Sequence, residues 1–320
     1  MNAADGLRDR VAIVTGAGQG IGRAEALELA AHGCRVVVND LDGALAEGVV
    51  AEIEAIGGSA VAVAASVTSA GEAVTAAALE AFGTVDIVIN NAGFMRPAAF
   101  EDLTPQQIEE VVGVHLLGGF FATQPAWRVM KAQGYGRVVF TGSSAGMFGQ
   151  GANSNYCAAK AGVYGLARAL AYEGAGFGIN VNTVLPFATT DIGRRDPVPG
   201  VQEQRDRAGA AYTGAIARRR GTGTVAPLVA YLCSAACTAT GQVFSACGGR
   251  YARVAVTVGD GWLAPDRAAM TLDGVEAHWP QISRGAQRHE PEDLFAEVRL
   301  VVEALAASVT TRPTGQSAPF

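Results

Sequence analysis

The sequence predicts an α/β fold, a doubly wound parallel sheet with helices on both faces, from two observations. Short β-branched runs alternate with alanine-rich stretches of helix length, and a glycine cluster joins the first such run to the first helix. Near-continuous apolar strands need cover on both faces, which helix layers around a parallel sheet supply. Val11-Ala12-Ile13-Val14-Thr15 reads as the first strand and Gly20 to His32 as the helix after it. Arg35-Val36-Val37-Val38-Asn39 is the second strand, followed by helix from about Ala44 to Ile56. Ala60 to Ala65 and Val85 to Ile89 continue the series with helix between them, and Arg137 to Thr141, Asn180 to Leu185 and Gly241 to Ala246 supply the later strands. In such sheets ligands bind at the carboxyl ends of the strands. Residues 1–264 are expected to form one nucleotide-binding domain. Beyond Ala264 the pattern loosens into a C-terminal extension, 265–320, with one helix over Glu290 to Ala307 and a disordered tail over Thr311 to Phe320.

Composition limits the function. The chain has 320 residues, 49% hydrophobic and 17% charged, enough apolar material for a large core. A net charge of −6 argues against general nucleic-acid binding. Cys34, Cys157, Cys233, Cys237 and Cys247 show no paired framework, and Cys233-x-x-x-Cys237 lacks the spacing of common zinc or redox motifs. His32, His278 and His289 belong to no constellation, so no metal site is expected. Met1 to Arg10 carries no signal peptide, and no apolar run reaches the ~18 residues of a membrane span. A soluble cytoplasmic protein is the expectation.

Gly16-x-x-x-Gly20-x-Gly22 follows the first strand at Thr15 and opens the first helix, the context of a dinucleotide-binding turn. Glycines allow the sharp turn and a close approach to pyrophosphate, which then meets the helix N-terminus. Gly16, Gln19, Gly20, Ile21 and Gly22 are the candidate contacts. Asp40 ends the second strand, 18 residues beyond Gly22, where a carboxylate would bond the adenosine ribose. It would repel a 2′-phosphate, so NAD is favoured over NADP; the competing reading is a solvated turn aspartate like Asp42. Tyr156 and Lys160 are four residues apart, on one face of a helix. A free phenol has a pKa of about 10, and a nearby ammonium favours the phenolate, which suits the tyrosine to proton exchange with a substrate oxygen.

In order, the glycine turn, Asn90-Asn91-Ala92-Gly93 after the fourth strand, Ser143 and Tyr156-x-x-x-Lys160 resemble the classical short-chain dehydrogenase/reductase family over residues 6–262. The resemblance implies a Rossmann-type doubly wound sheet. It implies that Ser143, Tyr156 and Lys160 are catalytic, with Ser143 bonding the substrate carbonyl and Ser144 its rival. Val67, Asn91, Ala92, Gly93 and Thr190 would join Tyr156 and Lys160 around the cofactor; Thr190 is preferred to Thr189, Phe187 replaces the usual glycine, and Ser66 replaces the usual aspartate. His115 stands where an asparagine is usual, either organising water or exchanging protons near neutral pH, or as a packed side chain. A narrower resemblance, carried by Val36 to Leu41, Val114 to Gly118, Tyr135 to Val139 and Val225 to Val229 with Leu232-Cys233, is to the (3R)-hydroxyacyl-CoA dehydrogenase part of peroxisomal multifunctional enzymes and their bacterial single-domain relatives.

These resemblances imply NAD-dependent interconversion of a secondary alcohol and a ketone, the small-molecule substrate being a 3-hydroxyacyl-CoA, or alternatively a steroid or other bulky alcohol. A non-catalytic NAD(H) sensor is the reading from another class, disfavoured by the intact Ser143, Tyr156 and Lys160. The expected substrate loop, 191–224, carries Arg194, Arg195, Arg205, Arg207, Arg218, Arg219 and Arg220, which would meet coenzyme A phosphates or form a solvated face. Apolar helices around Phe120 to Met130 and Ala158 to Ala171 suggest a homodimer or homotetramer.

Overall fold

The computed structural model describes residues 2–188, 219, 221–285 and 287–310. Thr190, six of the seven loop arginines and the expected tail lie outside them. The chain divides into two compact units, Met1–Val254 and Ala255–Phe320.

The first unit follows the predicted alternation closely. Its elements are β1 (Val11–Thr15), α1 (Gly20–Ala31), β2 (Arg35–Asp40), α2 (Gly43–Ala55), β3 (Ser59–Ala64), α3 (Gly71–Phe82) and β4 (Ile87–Asn90). There follow α4 (Pro105–Val112), a π-helical turn (Gly113–Leu117), α5 (Gly118–Gln133), β5 (Gly136–Thr141), α6 (Ser144–Phe148) and α7 (Ser154–Gly174). β6 (Ile179–Phe187), α8 (Ala226–Cys233), β7 (Val243–Cys247) and β8 (Arg250–Val254) complete it among the described residues. The sheet order is β3-β2-β1-β4-β5-β6-β7-β8. β1 pairs in parallel with both β2 and β4, so the chain reverses its direction of winding at β1. The crevice beyond Thr15 and Asn90 is therefore the switch point where this architecture binds ligands.

Alternate residues of each strand enter opposite layers. Ala12, Val14, Val36 and Val38 pack with α1, α2 and α8 residues in one core cluster. Val11, Ile13, Val37, Val88 and Phe140 pack with α3, α5 and α7 residues in the other. Both faces are dry, which is why the strands read as unbroken apolar runs. β8 is antiparallel to β7 and was not anticipated from the sequence. Gly248 and Gly249, both at positive φ (59° and 82°), form the two-residue turn between them, the conformation a tight hairpin requires.

The second unit holds β9 (Val258–Gly259), α9 (Leu272–Ala277), α10 (Trp279–Arg284), β10 (Arg288–His289) and α11 (Leu294–Thr310). The predicted terminal helix is present, four residues later in its start than expected. Trp262 stacks on His278 at 4.2 Å and 7° between planes. Among the described residues no helix is long and apolar enough to cross a membrane, and no group of three or more His, Cys, Asp or Glu could hold a metal ion.

Candidate active site

The turn between β1 and α1 is built for a close backbone approach. Gly16 has φ 62°, and a Cβ on it would come within 2.7 Å of the Ala92 Cα. A Cβ on Gly22 would strike the Asn91 side chain and the Gly16 carbonyl. Gly20 also has positive φ, 63°. Asn91 Nδ2 donates to the carbonyls of Thr15 (3.1 Å) and Gly16 (3.0 Å), while Thr15 Oγ1 accepts from the N–H groups of Asn91 (3.1 Å) and Ala92 (3.2 Å). Asn91 and Ala92 thus brace the turn from β4.

Gln19, the residue before α1, contributes no side-chain cap, and the first turn holds no acidic residue. The first N–H groups of α1 are left for an anion. Asp40 stands beside them: its Oδ2 accepts from Gly18 N at 2.9 Å and its Oδ1 from Asp42 N at 3.1 Å. A carboxylate has acceptor capacity beyond those two bonds. The cradle that a Cβ would fill, the uncapped helix and the carboxylate together fit a dinucleotide. Ile21 is partly buried against the core beneath. Val67 is buried, and a Cβ on Gly118 would come within 2.7 Å of its Cγ2; a cofactor contact there would run through its backbone. Ser66 is engaged with Thr68, Oγ to Oγ1 at 2.8 Å.

The acid/base candidates converge beyond β5. Ser143 caps α6, its Oγ accepting from Ala145 N at 3.1 Å. Tyr156 lies in the first turn of α7, and Lys160 one turn further, buried with Nζ donating to the carbonyl of Thr141. The Lys160 Nζ is 5.8 Å from the Tyr156 ring centre. Burial pushes the Tyr156 phenol above its ordinary range, and a hydrogen bond with Ser143 is the influence that lowers it. Burial pushes Lys160 down to about 7. The expected depression of the tyrosine by the lysine is not seen in the protein alone: burial dominates at both groups, because desolvation penalises both charged forms.

His115, left open between two roles in the sequence, lies at this centre. It occupies the π-turn between α4 and α5, 6% exposed, with its ring perpendicular to Tyr156 at 5.0 Å. A Cβ on Gly93 would strike the imidazole, so that glycine serves the histidine's packing. Burial and then the Lys160 charge push His115 down to about 3, with the Phe94 hydrogen bond opposing them.

Residues 10–195 match the family model described as short chain dehydrogenase. A Mycobacterium tuberculosis protein named as a short-chain type dehydrogenase/reductase is 39% identical over 289 residues, covering 87% of this chain and 95% of its own length. The peroxisomal hydratase-dehydrogenase-epimerase of Saccharomyces cerevisiae is 36% identical over 86% of this chain, which spans only 30% of that relative. The solved structure of full-length peroxisomal multifunctional enzyme type 2 from Drosophila melanogaster superposes with a TM-score of 0.77 at 30% identity, over 94% of this chain and 50% of that one.

Proposed function

The chain belongs to the short-chain dehydrogenase family, and from that premise we propose that it is an NAD-dependent oxidoreductase interconverting a secondary alcohol and a ketone, with 3-hydroxyacyl-CoA as its substrate class. One observation carries the reading: Ser143 and Lys160 both lie by Tyr156, the serine as the group that draws the phenol back down and the lysine with Nζ 5.8 Å from its ring centre, in the same unit as the glycine turn and Asp40. A bound nicotinamide dinucleotide supplies hydride chemistry. Gly16, Gln19, Gly20 and Gly22 would hold its pyrophosphate, and Asp40 its adenosine ribose.

In the alcohol-to-ketone direction Tyr156 removes the hydroxyl proton, and in the reverse direction it returns one to the same oxygen. The Ser143 hydroxyl donates to that oxygen as negative charge develops on it. Lys160, with its pKa brought near neutrality, carries positive charge beside the phenol when protonated. Asp40 would oppose a 2′-phosphate by charge repulsion and so favours NAD. The acyl-CoA class is supported by the resemblance at Val36 to Leu41 and Val114 to Gly118, and by two peroxisomal multi-activity relatives.

The test is reduced-cofactor formation with a panel of hydroxyacyl-CoA esters and free steroids, NAD and NADP in parallel, for wild type and Tyr156→Phe. Wild type should turn over the esters with NAD, and the variant should lose about 10²-fold or more in kcat. Equal rates in the two proteins would overturn the role of Tyr156. Faster turnover of a steroid than of any ester would overturn the substrate class.

A further inference from the structure

The acid/base reading leaves His115 without a task, yet its placement is specific. The π-turn Gly113–Leu117 seats the imidazole against the peptide of Phe94. Its Nε2 lies 2.6 Å from the Phe94 carbonyl oxygen and 3.1 Å from the Phe94 nitrogen. The shorter contact requires a proton on Nε2, which donates to the carbonyl. Nδ1 is then a bare acceptor; it is buried and has no partner. Gly93 covers it so closely that a Cβ there would stand 2.8 Å from Nδ1. The ring also meets Tyr156, edge to face at 5.0 Å. One ring thus touches both the segment Asn91 to Phe94 and the tyrosine.

We propose that His115 is a positioning residue that clamps the Phe94 peptide through Nε2 and braces the Tyr156 ring, so that one side chain registers the cofactor-side segment against the acid/base group. The proposal rests on the reading of Tyr156 as acid/base. The groups facing His115 are Lys160 and Tyr156 from α7. On α4, Glu110 is turned to Arg96 and Glu109 is exposed. His115 packs in a site where burial raises the phenol, so removing the ring admits water and eases ionisation of Tyr156.

The experiment compares wild type, His115→Ala, His115→Phe and Tyr156→Phe. The first readout is phenolate absorbance titrated in the cofactor-free proteins, the Tyr156→Phe curve identifying the Tyr156 component. The second is the pH dependence of kcat and of KM for NAD. His115→Ala should lower the Tyr156 midpoint by roughly half a unit or more. His115→Phe keeps a ring against Tyr156 but loses the Nε2 bond, so it should leave the midpoint in place and raise KM for NAD severalfold. An unchanged midpoint in the alanine variant together with an unchanged KM in the phenylalanine variant overturns the proposal. Loss of a titrating limb near the ordinary histidine range also overturns it, since a proton carrier rather than a brace behaves so. If His115→Ala fails to fold, by circular dichroism, the phenylalanine variant decides: a raised KM for NAD supports the clamp and an unaltered one overturns it. Full activity in Tyr156→Phe removes the acid/base reading itself, whereas an inactive Tyr156→Phe beside unaltered His115 variants removes only this inference.

Discussion

Glu25 lies on α1, three residues beyond Gly22, with both carboxyl oxygens buried and without a hydrogen-bond partner. Burial alone pushes its pKa up to about 8; the Cys233 thiol on α8 is pushed up chiefly by its own burial, with Cys34 and Glu25 adding to it. The folded value is above the unfolded one, so the stability it permits is intact below about 4.5 and is lost as pH rises through about 8. The loss between pH 5 and 8 is on the order of 3 kcal/mol. Glu25→Gln should flatten that slope, read as thermal midpoints across the range; parallel curves for the two proteins would refute the assignment. Nothing in the sequence singled out Glu25, because a charged residue in an alanine-rich helix normally faces water. The convergence of Tyr156, Lys160 and Ser143 was legible because two of them stand one turn apart on a helix and the third follows the strand before it. His115 was only half legible: its neighbours Gly93, Phe94 and Tyr156 meet it only once β4, the π-turn and α7 are assembled.

At the scale of elements, the turn from β1 into α1 was readable because glycine is demanded by backbone geometry rather than by a distant partner. Gly22 shows the demand plainly, since its missing Cβ makes room for Asn91 and the Gly16 carbonyl. Gly22→Ala should push Asn91 off the turn and weaken dinucleotide binding about tenfold or more, a change of roughly 1.4 kcal/mol. Fluorescence titration with reduced dinucleotide measures it, and an unaltered dissociation constant would show that the close packing is dispensable. Strand ends were read to within two residues, because the apolar runs fade over a residue or two at each end. β8 was missed for a different reason: Arg250-Tyr-Ala-Arg-Val254 has an exposed, charged edge character, and its signal is the Gly248-Gly249 turn before it, not its own composition.

At the scale of the whole molecule, the sheet's two faces are covered by helices, but the helices themselves are not uniformly polar outside. α5 buries Ala122, Ala126 and Met130 inward while Phe120 and Phe121 remain 46% and 43% exposed, and Leu117 just before it 43%. Tyr172 near the end of α7 is 68% exposed. Large side chains gathered on α5 with open outer faces carry a recurring free-energy cost in water, about 25 cal/mol for each Å² of apolar area. A second copy of the chain would remove that cost symmetrically, since an isologous contact presents the same helix twice. Light scattering should therefore return twice or four times the 32.7 kDa chain mass. Phe120→Glu with Phe121→Glu, placed on the outer side of α5, should drive the protein toward the single-chain mass while leaving its circular dichroism unchanged. A wild-type protein that is monomeric at every concentration tested would mean that α5 keeps its aromatic face for something other than self-association.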